Sequence, residues 1–534
     1  MCFIGINRIF STVEIELNGT VSFLDLQGDF LSSLPYESIE MDRLDSQAHF
    51  TIFQYRHLKY SFNLILTGTF IFIGLMAVSL VVKINSLMIL LYSLALSLPI
   101  IYLLLFKLDL LVFITVLAIP LSFKLTLAGG IEISFPAEIL TGMIAVFYFI
   151  YRLLSPVRLG GKIFRHPLTI LILLDITWLI ISTLFSEMPV ISVKRIVVRF
   201  SFMMVFFFVF SVLFTDFKNI GRVWLLYGIG LVIPVFSTLY NHSHYGFSKA
   251  VSFMMTKPFY NDHTQYATCI AYILPVLGVL IAIPEKFGVK RNARIPILLV
   301  SIVLLTGELF SFSRAAWLSI IVAMLFTGLV VFLRFRLVHF MLITIIAAGV
   351  IYHYRSDIYQ YVEKVDSVSR SADTEEHMES VMNIQTDASN LERINRWQCA
   401  LRMFRVKPLT GFGPGTYQFI YGKYQITPEM TRISTNNGEK GNAHSEYLTY
   451  LSETGLPGFI IFNLLILVTI YTAIRIYRVS RRKEVRWLAI AILTGFITYF
   501  VHGLFNSFID TDKASVLVYG SLSALVVMDI YHKE

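Results

Sequence analysis

The stretch Gln265-Tyr-Ala-Thr-Cys-Ile-Ala-Tyr-Ile-Leu-Pro-Val-Leu-Gly-Val-Leu-Ile-Ala-Ile-Pro284 runs for twenty residues without a charged side chain. At ~1.5 Å of rise per residue, a helix of that length matches a hydrocarbon core ~30 Å thick. A chain crossing such a core must pair its backbone N–H and C=O groups internally, which leaves the α-helix or the closed β-barrel. A barrel strand alternates apolar and polar residues, and this stretch does not alternate. Outward from it the pattern recurs. We count fourteen apolar spans, at about 61–82, 86–106, 108–123, 136–154, 167–185, 195–215, 220–240, 265–284, 295–311, 315–333, 337–353, 456–474, 487–506 and 514–530.

Composition agrees. Of 534 residues, 56% are hydrophobic and 15% charged, against ~25% charged in soluble domains. The net charge of +9 sits mostly in short loops between spans, so it reports membrane topology rather than nucleic-acid binding. The expected fold is all-α: a polytopic membrane protein of about 12–14 transmembrane helices with a large, partly helical extracytoplasmic loop. The N-terminus lacks the basic-then-apolar pattern of a cleaved signal peptide, so the first span is expected to act as signal and anchor. Met41 opens the segment that runs into that span and is a second candidate start.

Loop charge sets the expected orientation. The loops carrying Arg152, Arg158, Lys162 and Arg165, then Lys286, Lys290, Arg291 and Arg294, then Arg478, Arg481, Arg482, Lys483 and Arg486 fall on one side of a fourteen-span chain, the cytoplasmic side. The expected organisation is a cytoplasmic N-terminal tail at 1–58, a first membrane part at 59–353, a large outward loop at 354–455 and three last helices at 456–534. The tail shows only weak alternation around 13–15 and 21–26. The large loop far exceeds an ordinary connection, and loops of that size tend to carry function. Within it, Ile394, Trp397, Leu401 and Phe404 recur at helical spacing, and Gly411-Phe-Gly-Pro-Gly415 reads as a tight turn. An ordered helical cap is expected there, while the region around 373–379 reads as disorder-prone.

Arginine near the outer leaflet is costly and asks for a partner, and a guanidinium suits phosphate through paired N–H donors. Arg195 and Arg199 share one face of the sixth span. Arg314, in Ser311-Phe-Ser-Arg-Ala-Ala-Trp317, sits at an outer helix junction. Snorkelling or an ion pair, such as Arg314 with Glu308, is the alternative reading of these residues. His444, in Asn442-Ala-His-Ser-Glu-Tyr-Leu448, stands just before the twelfth span, where an imidazole can serve as a general base worth ~10²–10⁴ in rate. Ser445 follows it, and after nine more residues Gly455-Leu-Pro-Gly458 opens the span, its glycines permitting close backbone approach. A histidine of purely structural role reads equally well from this stretch alone.

Other polar groups admit other chemistry. Asp510-Thr-Asp512 has the DxD form that binds divalent metal in many glycosyltransferases, although two carboxylates beside Lys513 read better as a turn or helix cap. Asp175, Glu138 and His502 lie in or near spans and would suit the ion pathway of a transporter or flippase. Cys2, Cys269 and Cys399 show neither metal nor redox spacing, and no disulfide is expected.

The His444-Ser445 pair, nine residues, then Gly455-x-x-Gly458, after a large loop and a Ser-Arg-Ala-Ala-Trp junction, resembles the O-antigen ligase and polymerase superfamily of bacterial glycan assembly. Arg396-Trp-Gln-Cys-Ala-Leu401 with Pro408-Leu-Thr-Gly-Phe-Gly413 is also similar to that family's loop, and Phe459 stands where its ligases often carry threonine. The resemblance, over about 165–530, implies a GT-C-like, metal-independent glycosyltransferase without cofactor in the bacterial inner membrane, its active site facing the periplasm. It implies a glycan donor on undecaprenyl diphosphate and an acceptor hydroxyl on lipid A-core, another glycan or a protein. Carried over, Arg199 and Arg314, with Arg195 beside them, would hold the diphosphate, and His444 would take the acceptor proton. Ligase, repeat-unit polymerase and protein O-oligosaccharyltransferase all fit, while a peptidoglycan polymerase matches fewer motifs.

Overall fold

The computed structural model describes residues 13–17, 20–24, 30–35, 99–126, 132–154, 161–334, 379–430 and 441–534, with isolated positions at 338–354 and at Ser434. The chain divides into two compact units, Met1–Lys107 and Leu108–Glu534.

In the first unit, β1 (Val13–Leu17), β2 (Thr20–Leu24) and β3 (Phe30–Pro35) form an antiparallel meander. Val13 stands opposite Leu24, Thr20 opposite Pro35, and the register is irregular at Phe23 and Leu24. The weak alternation at 13–15 and 21–26 marks the first two strands. The third, Phe-Leu-Ser-Ser-Leu-Pro, alternates poorly and left no such signal. The span at 61–82, most of that at 86–106 and most of that at 337–353 lie outside the described residues, as do 373–378 and Cys2.

The second unit is a helical bundle: α1 (Leu108–Leu121), α2 (Ala137–Leu154), α3 (Pro167–Leu184), α4 (Pro189–Leu213), α5 (Phe217–Ser243), α6 (His263–Ala282), α7 (Arg291–Leu309), α8 (Arg314–Phe332), α9 (Glu379–Val406), α10 (Glu446–Val479), α11 (Lys483–His502) and α12 (Asp512–His532). Among the described residues ten of these, α2–α8 and α10–α12, are long and apolar enough to cross a membrane, and α1 is a shorter apolar helix. The protein is thus an all-α polytopic membrane protein, and every expected span that falls among described residues is a helix. A small antiparallel ribbon, β4 (Phe123–Thr126) with β5 (Glu132–Phe135), joins α1 to α2. Helices α11 and α12 lie at the centre, α11 packing on α6, α8 and α10. Leu298, Leu299, Ile302 and Leu305 on α7 and Leu318, Ile321 and Leu325 on α8 point outward, as apolar side chains do where lipid is the solvent.

The contacts between helix ends give the bundle two unlike ends. At one end Arg478 Nη2 donates to the Arg334 carbonyl at 2.8 Å, Arg482 lies over the Phe217 ring, Phe217 stacks on Phe287, and Asp529 gathers His166, Arg475 and Lys533. The three basic loops therefore share one end, as their charge led us to expect. The other end carries α9 and the N-termini of α6, α8, α10 and α12. Each terminus is capped by its own side-chain oxygen, from Asp262, Ser313, Ser445 and Thr511, which accept from the backbone of Thr264, Ala316, Leu448 and Ala514. Four helix dipoles thus present their positive ends together, an arrangement favourable to anions.

Candidate functional site

Helix α9 is the cap over this end. Its fully buried face is Asn395, Cys399, Ala400 and Met403, packed on Phe412, Tyr417, Ile420, Tyr421 and Ala443. The stripe expected from the sequence, Ile394, Trp397, Leu401 and Phe404, is half-buried. The helix is covered on more than one side, so a single-stripe reading finds the element but not its inner face. Cys399 and Cys269 are both buried free thiols, and burial pushes the Cys399 thiol up to about 12.

The Asn442–Glu446 segment is fastened on both flanks. From α9, Arg396 Nη1 donates to the Asn442 carbonyl at 3.2 Å and Trp397 Nε1 to the His444 carbonyl at 3.3 Å. From the turn after α11, the Gly503 carbonyl accepts from Glu446 N at 2.8 Å and the Ser507 carbonyl from Asn442 Nδ2 at 3.2 Å. The Glu446 carboxylate accepts from Tyr499 Oη, Ser507 Oγ and the backbone N–H groups of Phe508 and Ile509, at 2.5–3.0 Å. Within this frame His444 adopts a left-handed backbone with φ 47°, a conformation that costs a non-glycine residue about 1–3 kcal/mol and persists only where its surroundings impose it. Asn442 Oδ1 accepts from His444 N at 3.0 Å, closing the turn.

The charges around the imidazole are mostly cationic. Burial lowers the His444 pKa to about 4, Arg396 and Arg393 add to the drop, and Asp262 with the Asn506 side chain opposes it. Burial likewise pulls the Arg393 guanidinium below its usual range, Asp262 opposes, and Arg314 adds repulsion. Arg396 is paired with Glu392 at 2.8 Å. Electrostatically, Arg393 thus links His444, Asp262 and Arg314, and Arg396 brings its own carboxylate, Glu392. Arg314 is exposed and has no ion pair among the described residues. The alternative pairing with Glu308 is not formed, since both Glu308 carboxylate oxygens are buried without a hydrogen-bond partner.

The glycine motifs explain how the cap is clamped. Helix α10 breaks at Gly455, φ 68°, and the Pro408–Tyr417 loop takes over the backbone groups freed there. Leu456 N donates to the Pro408 carbonyl at 2.8 Å, Phe412 N to the Ser452 carbonyl at 3.1 Å, and Gly413 N to the Glu453 carbonyl at 2.9 Å. The Glu453 carboxylate accepts from Gly415 N at 2.7 Å and Tyr417 N at 3.0 Å, and Trp178 Nε1 of α3 donates to the Thr454 carbonyl at 2.8 Å. A Cβ at Gly455 would collide with the Leu409 backbone, and one at Gly411, φ 66°, with the backbone of Glu453 and Thr454. A Cβ at Gly458 would meet Thr454 and Trp178.

Arg199 and Arg195 belong to a second cluster. Arg199 is buried, donating from Nε to Asp510 Oδ1 at 2.8 Å and from Nη1 to Tyr450 Oη at 2.6 Å, with Asp175 Oδ2 3.7 Å away. Arg195, with a third of its side chain exposed, reaches Asp510 Oδ2 at 3.2 Å. Burial raises the Asp510 carboxyl, but Arg199 and Arg195 outweigh it and hold the group below the usual carboxylate range. The two acids of the DxD therefore diverge, Asp510 to the arginines and Asp512 to Ser122 Oγ at 2.5 Å, beside Lys513. Asp175, Glu138 and His502 each have a local partner too: Arg199, the Ser134 N–H at 3.0 Å and Asn506 at 2.9 Å.

Arg393 thus acts on both His444 and Arg314, whereas Arg199 and Arg195 are tied into a separate ion-pair network. Sequence reading missed Arg393, Asp262 and Asn506. A signal for Arg393 existed, since it precedes Trp397 by four residues on α9 and so shares the face that meets His444. Residues 299–463 match the family model of the O-antigen ligase domain. The matched segment runs from α7 into α10 and includes Arg314, Arg393, His444, Gly455 and Gly458, whereas Arg195 and Arg199 precede it. No curated protein matches the chain. The match falls on the segment that carries most of the motifs behind the resemblance, and the ten apolar helices make the chain a multi-pass membrane protein.

Proposed function

We propose that this chain, carrying an O-antigen ligase domain, transfers a glycan from undecaprenyl diphosphate to an acceptor hydroxyl, the acceptor being lipid A-core. In this reading it works in the bacterial inner membrane, with the α9 end facing the periplasm. The observation that carries the reading is the His444 segment fastened to Arg396 and Trp397 of α9, with Arg393 acting on its imidazole and exposed Arg314 acting on Arg393 in turn. Arg314 and Arg393 hold the diphosphate, near the positive ends of α6 and α8. Arg195 retains exposed donors and can join them. Arg199, whose donors are committed to Asp510 and Tyr450, keeps its network in place.

The acceptor oxygen attacks C1 of the donor sugar, the C1–O bond to phosphate breaks, undecaprenyl diphosphate leaves, and the acceptor proton passes to His444. Charge grows on the diphosphate as that bond breaks, so fixed guanidinium groups stabilise the transition state more than the ground state. The bound dianion also raises the pKa of the nearby imidazole. The base therefore strengthens when donor is in place, and the cationic site keeps it neutral and ready beforehand. The sugar arrives already activated, so neither metal nor nucleotide is required.

The test is a deletion strain complemented with wild type, His444→Ala or Arg314→Ala, its surface glycans resolved on gels for lipopolysaccharide and glycoprotein. Either variant should lower transfer ~10²–10⁴-fold at unchanged membrane level. Full activity of His444→Ala would sink the assignment of the base. Loss of long-chain glycan from lipid A-core identifies a ligase, single-repeat products a polymerase, and loss confined to glycoproteins a protein O-oligosaccharyltransferase.

A further inference from the structure

The turn that follows α11 places a second histidine behind the first. Asn506 and His502 are almost fully buried, and Asn506 Nδ2 lies 2.9 Å from His502 Nε2. The Asn506 side chain also adjoins the His444 ring, whose Nδ1 is enclosed and carries no hydrogen bond in the structure. The same turn is bound to the His444 segment at Asn442, Glu446 and Ser507, so this proximity is imposed by the backbone on both sides.

We propose that Asn506 is a positioning residue for His444, and that His502 fixes the Asn506 amide so that the His444 proton stays on Nδ1 and Nε2 is left as the base. An amide that donates through Nδ2 to His502 Nε2 turns its oxygen toward its other neighbour. Nδ1 is the enclosed nitrogen of the ring and the one assigned to that oxygen here, and an oxygen against it requires an N–H, which selects the tautomer whose free lone pair is on Nε2. The opposite amide orientation would set an N–H against Nδ1 and move the imidazole proton to Nε2, where the ring could accept nothing from an acceptor hydroxyl. The field of the site favours the first orientation, because Arg393 and Arg396 act on His444 from α9 with only Asp262 opposing from α6. The negative end of the amide dipole is the end that belongs there. An asparagine orienting a histidine base is a known variant of the catalytic triad, and here a second histidine orients the asparagine.

The inference rests on His444 being the base, and its test has one arm that does not depend on any substrate. Purified full-length protein in detergent is treated with diethylpyrocarbonate across pH, and modification of His444 is followed by peptide mass; the reagent attacks only an unprotonated imidazole nitrogen. Asn506→Asp keeps the acceptor oxygen and adds a negative charge, so the midpoint of His444 modification should rise by about one pH unit or more. In the deletion strain, Asn506→Leu and His502→Phe should each lower transfer ~tenfold or more, and Asn506→Asp should restore most of it. Should Asn506→Leu fail to accumulate, Asn506→Asp and His502→Phe carry the test alone. Wild-type transfer by Asn506→Leu or His502→Phe, or an unmoved midpoint in Asn506→Asp, would overturn the proposal. A midpoint that moves in a protein whose His444→Ala variant still transfers glycan would remove the base while upholding the coupling of Asn506 to His444.

Discussion

Two arginine clusters occupy the same end of the bundle, and they are built in opposite ways. Around Arg199 and Arg195 stand Asp510 and Asp175, two charges against two, with the guanidinium of Arg199 buried and its donors taken. Around His444, among the described residues, Arg393 and Arg396 act against Asp262, and Arg314, which acts on Arg393, is exposed. A balanced buried network is costly to disturb and adds little by being there, since its desolvation offsets much of its attraction. An exposed guanidinium with no ion pair among the described residues, as at Arg314, is open to an anion. In sequence the two look alike, each an arginine near the end of an apolar span. What separates them is the company supplied by segments hundreds of residues away.

The largest effect expected from the contrast concerns stability. Arg199→Met leaves Asp175 buried with Tyr450 alone, because Asp510 keeps Arg195, and removing one partner of a buried pair costs about 3–5 kcal/mol. The thermal midpoint in detergent should fall accordingly. Arg199→Met combined with Asp175→Asn should recover most of that loss and retain glycan transfer. If the double variant is stable yet inactive, Arg199 touches the donor after all and the division between the clusters fails.

A smaller effect is expected at Arg314. Arg314→Lys keeps the charge but gives up the paired, planar donors that match a phosphate. Transfer should drop by roughly 10–100-fold, with the thermal midpoint unmoved because the side chain is exposed and unpaired among the described residues. Comparing Arg314→Lys with Arg199→Lys sharpens the contrast: the first should alter kinetics without stability, the second stability before kinetics.

How far the sequence carried is uneven, for physical reasons. Long apolar spans and basic loops are local and cumulative signals, so helices α2–α8 and α10–α12 and the shared end of the basic loops were legible. His444 and Gly455 were legible through their spacing, yet the reason for the glycines was not. It lies in a loop some forty residues upstream whose backbone closes the break in α10. Arg199 and Arg314 were both found, but their different partners come from α3, α9 and the 507–512 turn, and only folding brings those together. The inner face of α9 was misjudged by one step because an element covered on several sides has no single apolar stripe.

The smallest and most discriminating effect is in the pH dependence. The acid limb of kcat/KM reports the free enzyme, so it should fall near the unliganded His444 value of about 4, well below the ordinary imidazole range of ~6.5. The limb of kcat reports the donor-bound enzyme, where the added phosphate charge raises the same group by about one to three units. The two profiles should therefore separate, with kcat failing first as pH falls. Stability moves in the same sense: the unfolded chain takes up the His444 proton between ~6.5 and about 4 while the folded protein refuses it, so stability declines as pH falls through that window. In Arg314→Lys, weaker seating of the diphosphate should narrow the gap between the limbs. Coincident limbs in the wild type would mean that the dianion does not sit beside His444, and the cation-rich cluster would lose its assigned ligand.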